Sequence, residues 1–149
     1  MKLLVLLLLV SMSSFASQKV DILWIVDNSG SMESIHSKII RNSQKLFSQI
    51  TETNLEWNMG VISTDKDDRP YLGFGGDFNS NTNNADTIFA MAISNLGTNG
   101  SANEYIFKST LDKLSEYPHF VKSDKLIIIM ITDEKEQSLQ YGSQFKIGR

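Results

Sequence analysis

The chain has 149 residues, 41% of them hydrophobic and 21% charged, with a formal net charge of −3 and no cysteine. That is enough apolar material for one domain with a real core. Without cysteine, disulfide staples, thiol catalysis and thiolate zinc sites are excluded, and without a basic cluster nucleic-acid binding is not expected.

The first residues read as a signal peptide. Lys2 supplies a positive start, residues 3–10 are uninterrupted and apolar, and Ser14-Phe15-Ala16 is a small-x-small cleavage signal. Cutting after Ala16 leaves residues 17–149 as one exported domain of charge −4, because Lys2 is lost. The apolar run is too short to span a bilayer, so no membrane span is expected after cleavage. The expected location is periplasmic, cell-surface or secreted.

Residues 20–26 (V-D-I-L-W-I-V) are nearly all apolar and rich in β-branched side chains, which predicts a central parallel strand. Residues 31 to about 50 follow as a helix, with Ile35, Ile39, Leu46, Phe47 and Ile50 on one face. Residues 57–63 form a second strand, and 71–74 a short strand returning as a hairpin. After a Gly- and Asn-rich loop, Ala85, Ile88, Phe89, Ala92, Ile93 and Leu96 mark another helix, capped by Asn83 or Asn84 and ended by Gly97. A further helix covers about 103–116, with Ile106, Phe107, Thr110, Leu111 and Leu114 inward. Residues 126–131 are the third long strand, and Trp24, Trp57 and Phe89 are expected in the core. This order predicts an α/β fold, a Rossmann-like doubly wound, mostly parallel sheet with helices on both faces. The chain stops about 16 residues after Asp133, where such a sheet would continue with more units. The last strands are therefore expected to be missing, with residues 126–131 near an unpaired, apolar edge.

Asp27-Asn28-Ser29-Gly30-Ser31-Met32 stands where the first strand ends, and Thr132-Asp133 where the third ends. In an open parallel sheet, ligands bind outside the carboxyl ends of the strands. One carboxylate and two hydroxyls on alternate residues can converge on a hard divalent cation. Other motifs carry less. The segment 27–38 is not an EF-hand, because position six is Met32 and position twelve is Lys38. Gly73-x-Gly75-Gly76 lacks the Lys-Ser/Thr of a phosphate loop. His36 and His119 show no ligand spacing and read as packing or surface residues. Thr64 and Asp65 read as a structural turn, or else as part of the site's rim.

The pattern Asp27-x-Ser29-x-Ser31 resembles the metal-ion-dependent adhesion site of von Willebrand factor type A domains, and the resemblance spans about residues 19–147. It includes Leu96-Gly97-Thr98-Asn99-Gly100 and Ile131-Thr132-Asp133. The chain also resembles exported bacterial members with an Asn-Ser-Gly-Ser-Met motif and an acidic stretch like that of residues 133–136. The resemblance implies that Ser29 and Ser31 bind a metal directly and that Thr98 matches the threonine of the family's second loop, with Ser101 as its rival. It also implies that Asp27 and Asp133 match the two aspartates, which often act through water. Neutral hydroxyl ligands leave the ion most of its positive charge, and the aspartates orient ligands and waters around it. Mg²⁺ suits this oxygen set, as do Mn²⁺ and Ca²⁺. The function implied is non-enzymatic: a protein-binding, adhesion-type module in which an acidic side chain of a partner completes the coordination. The alternatives are a degenerate or fragmentary structural domain without functional metal, and a metal-assisted hydrolase with Asp27 as nucleophile, for which Asn28 and Ser29 supply no activating group.

Overall fold

The computed structural model describes residues 18–65, 68–100 and 106–133. The expected signal peptide, Ser101, and the residues from 134 onward lie outside them.

Three parallel strands form the sheet: β1 (Lys19–Val26), β2 (Glu56–Ser63) and β3 (Leu126–Ile131), in the order β2-β1-β3. Val26 lies opposite Ser63 on one side and Ile131 on the other. All three strands therefore end at one edge, and Asp27, Thr64 and Thr132 leave the sheet there. Because β1 is covered on both faces, every residue from Val20 to Val26 is buried. That includes Asp21, whose carboxylate accepts a bond from Asn58 Nδ2 at 3.3 Å and from the backbone amides of Lys122 and Ser123 at 2.6 and 2.7 Å.

Two helices, α1 (Glu33–Thr51) and α2 (Ala85–Leu96), cover one face. Val20, Ile22, Trp24 and Val26 point to that side and join Phe47, Trp57, Phe78 and Phe89 in the larger core. Phe47 sits at its centre, edge-to-face with Trp57, Phe78 and Phe89 at 5.6, 6.0 and 5.5 Å. The alternate residues Leu23 and Ile25 pack with Ile62, Phe74, Ile106 and Phe120 on the opposite face, under α3 (Ile106–Glu116). Helices on both faces of a parallel sheet, with Trp24, Trp57 and Phe89 buried, are the α/β architecture expected.

Four local expectations are corrected. The first helix does not begin at Ser31: Gly30–Met32 is a 3₁₀ turn and α1 starts at Glu33. Residues 71–74 do not form a strand. The return is made by isolated antiparallel bridges, Leu72 to Val61 and Asn79 to Asn58. Between them Gly73 passes so close to β2, at φ +82°, that a Cβ there would lie 1.8 Å from the Met59 carbonyl. Asn84 precedes α2 but its side chain makes no capping bond. Its backbone is left-handed, at φ 53°, rather than in the extended conformation that aims a capping oxygen into the first turn. Finally, α3 is rotated from its apolar pattern. Ile106, Ser109, Thr110 and Lys113 are buried, whereas Phe107 and Leu111 are 43% and 47% exposed. The bond from Ser109 Oγ to the Thr64 carbonyl, 2.5 Å long, turns the polar flank toward the end of β2.

Candidate metal centre

Asp27 is fully buried at the end of β1 and held on every side. Its backbone N–H donates to the Ile131 carbonyl at 2.9 Å, continuing the ladder by one residue. One carboxylate oxygen, Oδ1, accepts the Ser29 amide at 2.7 Å, which turns the chain sharply so that Ser29 and Ser31 follow on one side. The other, Oδ2, accepts the Thr132 hydroxyl at 2.7 Å. The Asp27 carbonyl meets the buried His36 ring, with Nε2 at 2.7 Å.

Three oxygens come together beside this anchor. Ser29 Oγ and Ser31 Oγ are 3.2 Å apart, and Ser31 Oγ donates to Asp133 Oδ1 at 3.1 Å. Two segments 102 residues apart in the chain thus share one cluster. Thr98 follows α2, whose last turn closes at Gly97 with φ 66°. Its loop is tied to the same turn: Gly100 N–H donates to the Asn28 carbonyl at 2.8 Å, and a Cβ on Gly30 would lie 3.7 Å from the Thr98 carbonyl. Contact between the Thr98 side chain and the serines is not among these bonds.

The donor set is made of oxygens, the ligands a hard cation takes. Mg²⁺ takes oxygen ligands at 2.0–2.1 Å in octahedral geometry, which sets neighbouring ligands about 3 Å apart. The 3.2 Å between Ser29 Oγ and Ser31 Oγ is compatible with one such edge, while the 3.1 Å contact from Ser31 to Asp133 is a hydrogen bond to a carboxylate beside the pair. Ser31 and Asp133 are exposed while Asp27 and Ser29 are buried, so the cluster has a rigid floor and an open mouth. The helical turn from Gly30 adds backbone N–H groups at the same edge. By donor type, the residues present fit a divalent cation.

Several participants were not singled out in the sequence. In the sequence Thr132 is only the neighbour of Asp133, yet its hydroxyl fixes the Asp27 carboxylate. Asn28 was a spacer, yet it joins three loops: its carbonyl takes Gly100 N–H, and its Nδ2 lies 3.4 Å from Asp65 Oδ2 and 3.3 Å from Asp68 Oδ2. Its Oδ1 is buried, has no partner among the described residues, and faces Gly100, where a Cβ would collide with it. Thr64 is buried and its carbonyl accepts the Ser109 hydroxyl of α3, while Asp65 reaches the site loop through Asn28. His119 is exposed and its ring meets the Phe74 carbonyl at 3.0 Å. No helix among the described residues is long and apolar enough to cross a membrane.

The family model for the von Willebrand factor type A domain matches residues 21–146. No curated protein matches the chain.

Proposed function

Because the chain belongs to the von Willebrand factor type A domain family, we propose that it is a divalent-metal-dependent protein-binding module, exported by its first 16 residues, that takes an acidic side chain of a partner at the edge where β1 and β3 end. The observation that carries this reading is the hydrogen-bonded cluster of Ser29, Ser31 and Asp133 oxygens, drawn from two distant segments, beside a fully engaged Asp27. In it, Ser29, Ser31 and Thr98 hold Mg²⁺, with Mn²⁺ or Ca²⁺ as substitutes, while Asp27 and Asp133 orient the hydroxyls and waters around it. The ion, when bound, supplies one Lewis-acidic position to which a carboxylate can bind. An adhesion role suits a site with an open mouth and a buried floor.

The same geometry weighs against hydrolysis by Asp27. Both of its carboxylate oxygens already accept short bonds, from Ser29 N–H and from Thr132, so neither is poised as a nucleophile. The deciding experiment is thermal unfolding of the chain in chelator and then in millimolar Mg²⁺. A ligand that binds only the folded state stabilises it by RT ln(1 + [L]/Kd), about 2.7 kcal/mol at a hundredfold excess over Kd. The expected outcome is an upward shift that disappears in Asp27→Ala. Equal shifts in both proteins would place the metal elsewhere, and no shift in either would leave a structural domain without functional metal.

A further inference from the structure

His36 lies in the first turns of α1, nine residues beyond Asp27, and is 5% exposed. An imidazole is a poor filler for such a place unless its polar atoms are used. Its Nε2 is 2.7 Å from the Asp27 carbonyl oxygen. A carbonyl can only accept, so Nε2 carries the proton and donates. The bond closes a short loop: strand β1 ends at Asp27, the chain turns through Ser29 and Ser31, α1 begins at Glu33, and His36 reaches back to where the turn started. The Asp27 side chain and backbone N–H are fixed by Ser29, Thr132 and Ile131. The carbonyl is the remaining polar group of that residue, and His36 reaches it from α1.

We propose that His36 is a positioning residue of the cation site: its Nε2–H, by holding the Asp27 carbonyl, sets the orientation of the turn that presents Ser29 and Ser31. This inference rests on the cation reading of the site. His36 touches no ion. It acts through the peptide plane between Asp27 and Asn28, whose tilt determines where the next two residues point. Outer partners of metal ligands typically change metal affinity by 10–100-fold when removed.

The test compares Mg²⁺ titrations of the full chain as parent, His36→Leu and His36→Gln, followed by thermal unfolding and calorimetry. A glutamine places an amide donor at a similar reach, and a leucine fills the space without one. The expected result is that His36→Leu unfolds cooperatively without metal but binds Mg²⁺ about tenfold or more weakly, and that His36→Gln recovers most of the affinity. His36→Leu with the parent's Kd, whatever its stability without metal, would overturn the proposal. If the leucine variant fails to fold, His36→Asn replaces it. The shorter amide should bind Mg²⁺ more weakly than glutamine, and equal affinities would count against the role. Nitrogen NMR of the parent's imidazole gives a metal-independent readout: Nε2–H is expected, and an Nδ1–H tautomer would sink the assignment. A parent that gives no Mg²⁺ response at all would instead overturn the cation reading, and this proposal with it.

Discussion

Asp68 organises the loop beyond β2 with a single oxygen. Its Oδ2 accepts from Ser63 Oγ at 2.7 Å, Tyr71 OH at 3.3 Å and Asn28 Nδ2 at 3.3 Å. Burial, and then the charge and hydrogen bond of Asp68 with a contribution from Asp65, push the Tyr71 hydroxyl above its ordinary value of 10.0. The folded chain therefore holds this proton more tightly than the unfolded chain. The resulting stability is complete below about pH 10 and is lost as pH rises through the folded-state value. Urea unfolding at increasing alkaline pH should show that decline in the parent, and Tyr71→Phe should lack this component. The residues most legible in the sequence share a simple property: Asp27, Ser29, Ser31 and Asp133 are polar residues at the ends of apolar runs. Thr132 and His36 were less legible because their roles depend on which strand and which helix face them. Asp27 meets Thr132 only because β3 pairs beside β1, and meets His36 only because the 3₁₀ turn sets the start of α1.

At the scale of elements, α1 and α3 make an instructive pair. Of the five residues expected on the inward face of α1, Ile39, Leu46, Phe47 and Ile50 pack on the larger core, whereas Ile35 is partly buried outside it. In α3 the same periodic reasoning failed in part, since Phe107 and Leu111 face outward. Ser109 instead faces the sheet, where its hydroxyl satisfies the Thr64 carbonyl, a buried backbone acceptor. Substitution should reveal the true face. Ile106→Ala is expected to cost about 2–5 kcal/mol by opening a cavity beside Leu23 and Ile25. Leu111→Ser should change stability by no more than about 0.5 kcal/mol. Chemical denaturation of the two variants separates these outcomes, and equal losses would contradict the observed rotation. The Gly73 turn explains why residues 71–74 did not become a strand: the backbone touches β2 there without pairing along it.

For the whole molecule, the parallel sheet and its two helical layers were evident from the order of apolar runs, and so was the apolar character of β3. Among the described residues β3 has one strand neighbour, β1, and its Ile127, Ile128 and Met130 are 47%, 39% and 37% exposed. An uncharged apolar edge of this kind is a template for pairing between chains. Met130→Lys should slow aggregation, followed by light scattering at rising concentration, because it places a charge on that edge. A rate equal to the parent's would show that the edge is covered.

The central place of β1 also bears on when the molecule can take shape. Its partner β2 follows soon after it in the chain, whereas β3 comes only after residues 64–125. During synthesis at roughly 5–20 residues per second, the middle strand therefore waits several seconds with one flank empty. Over that interval Asp27 lacks Thr132, and Ser31 lacks Asp133. On the proposed reading, an ion meeting the incomplete chain would find only part of its donor set, so metal binding would belong to the last stage of assembly and would not guide the earlier ones.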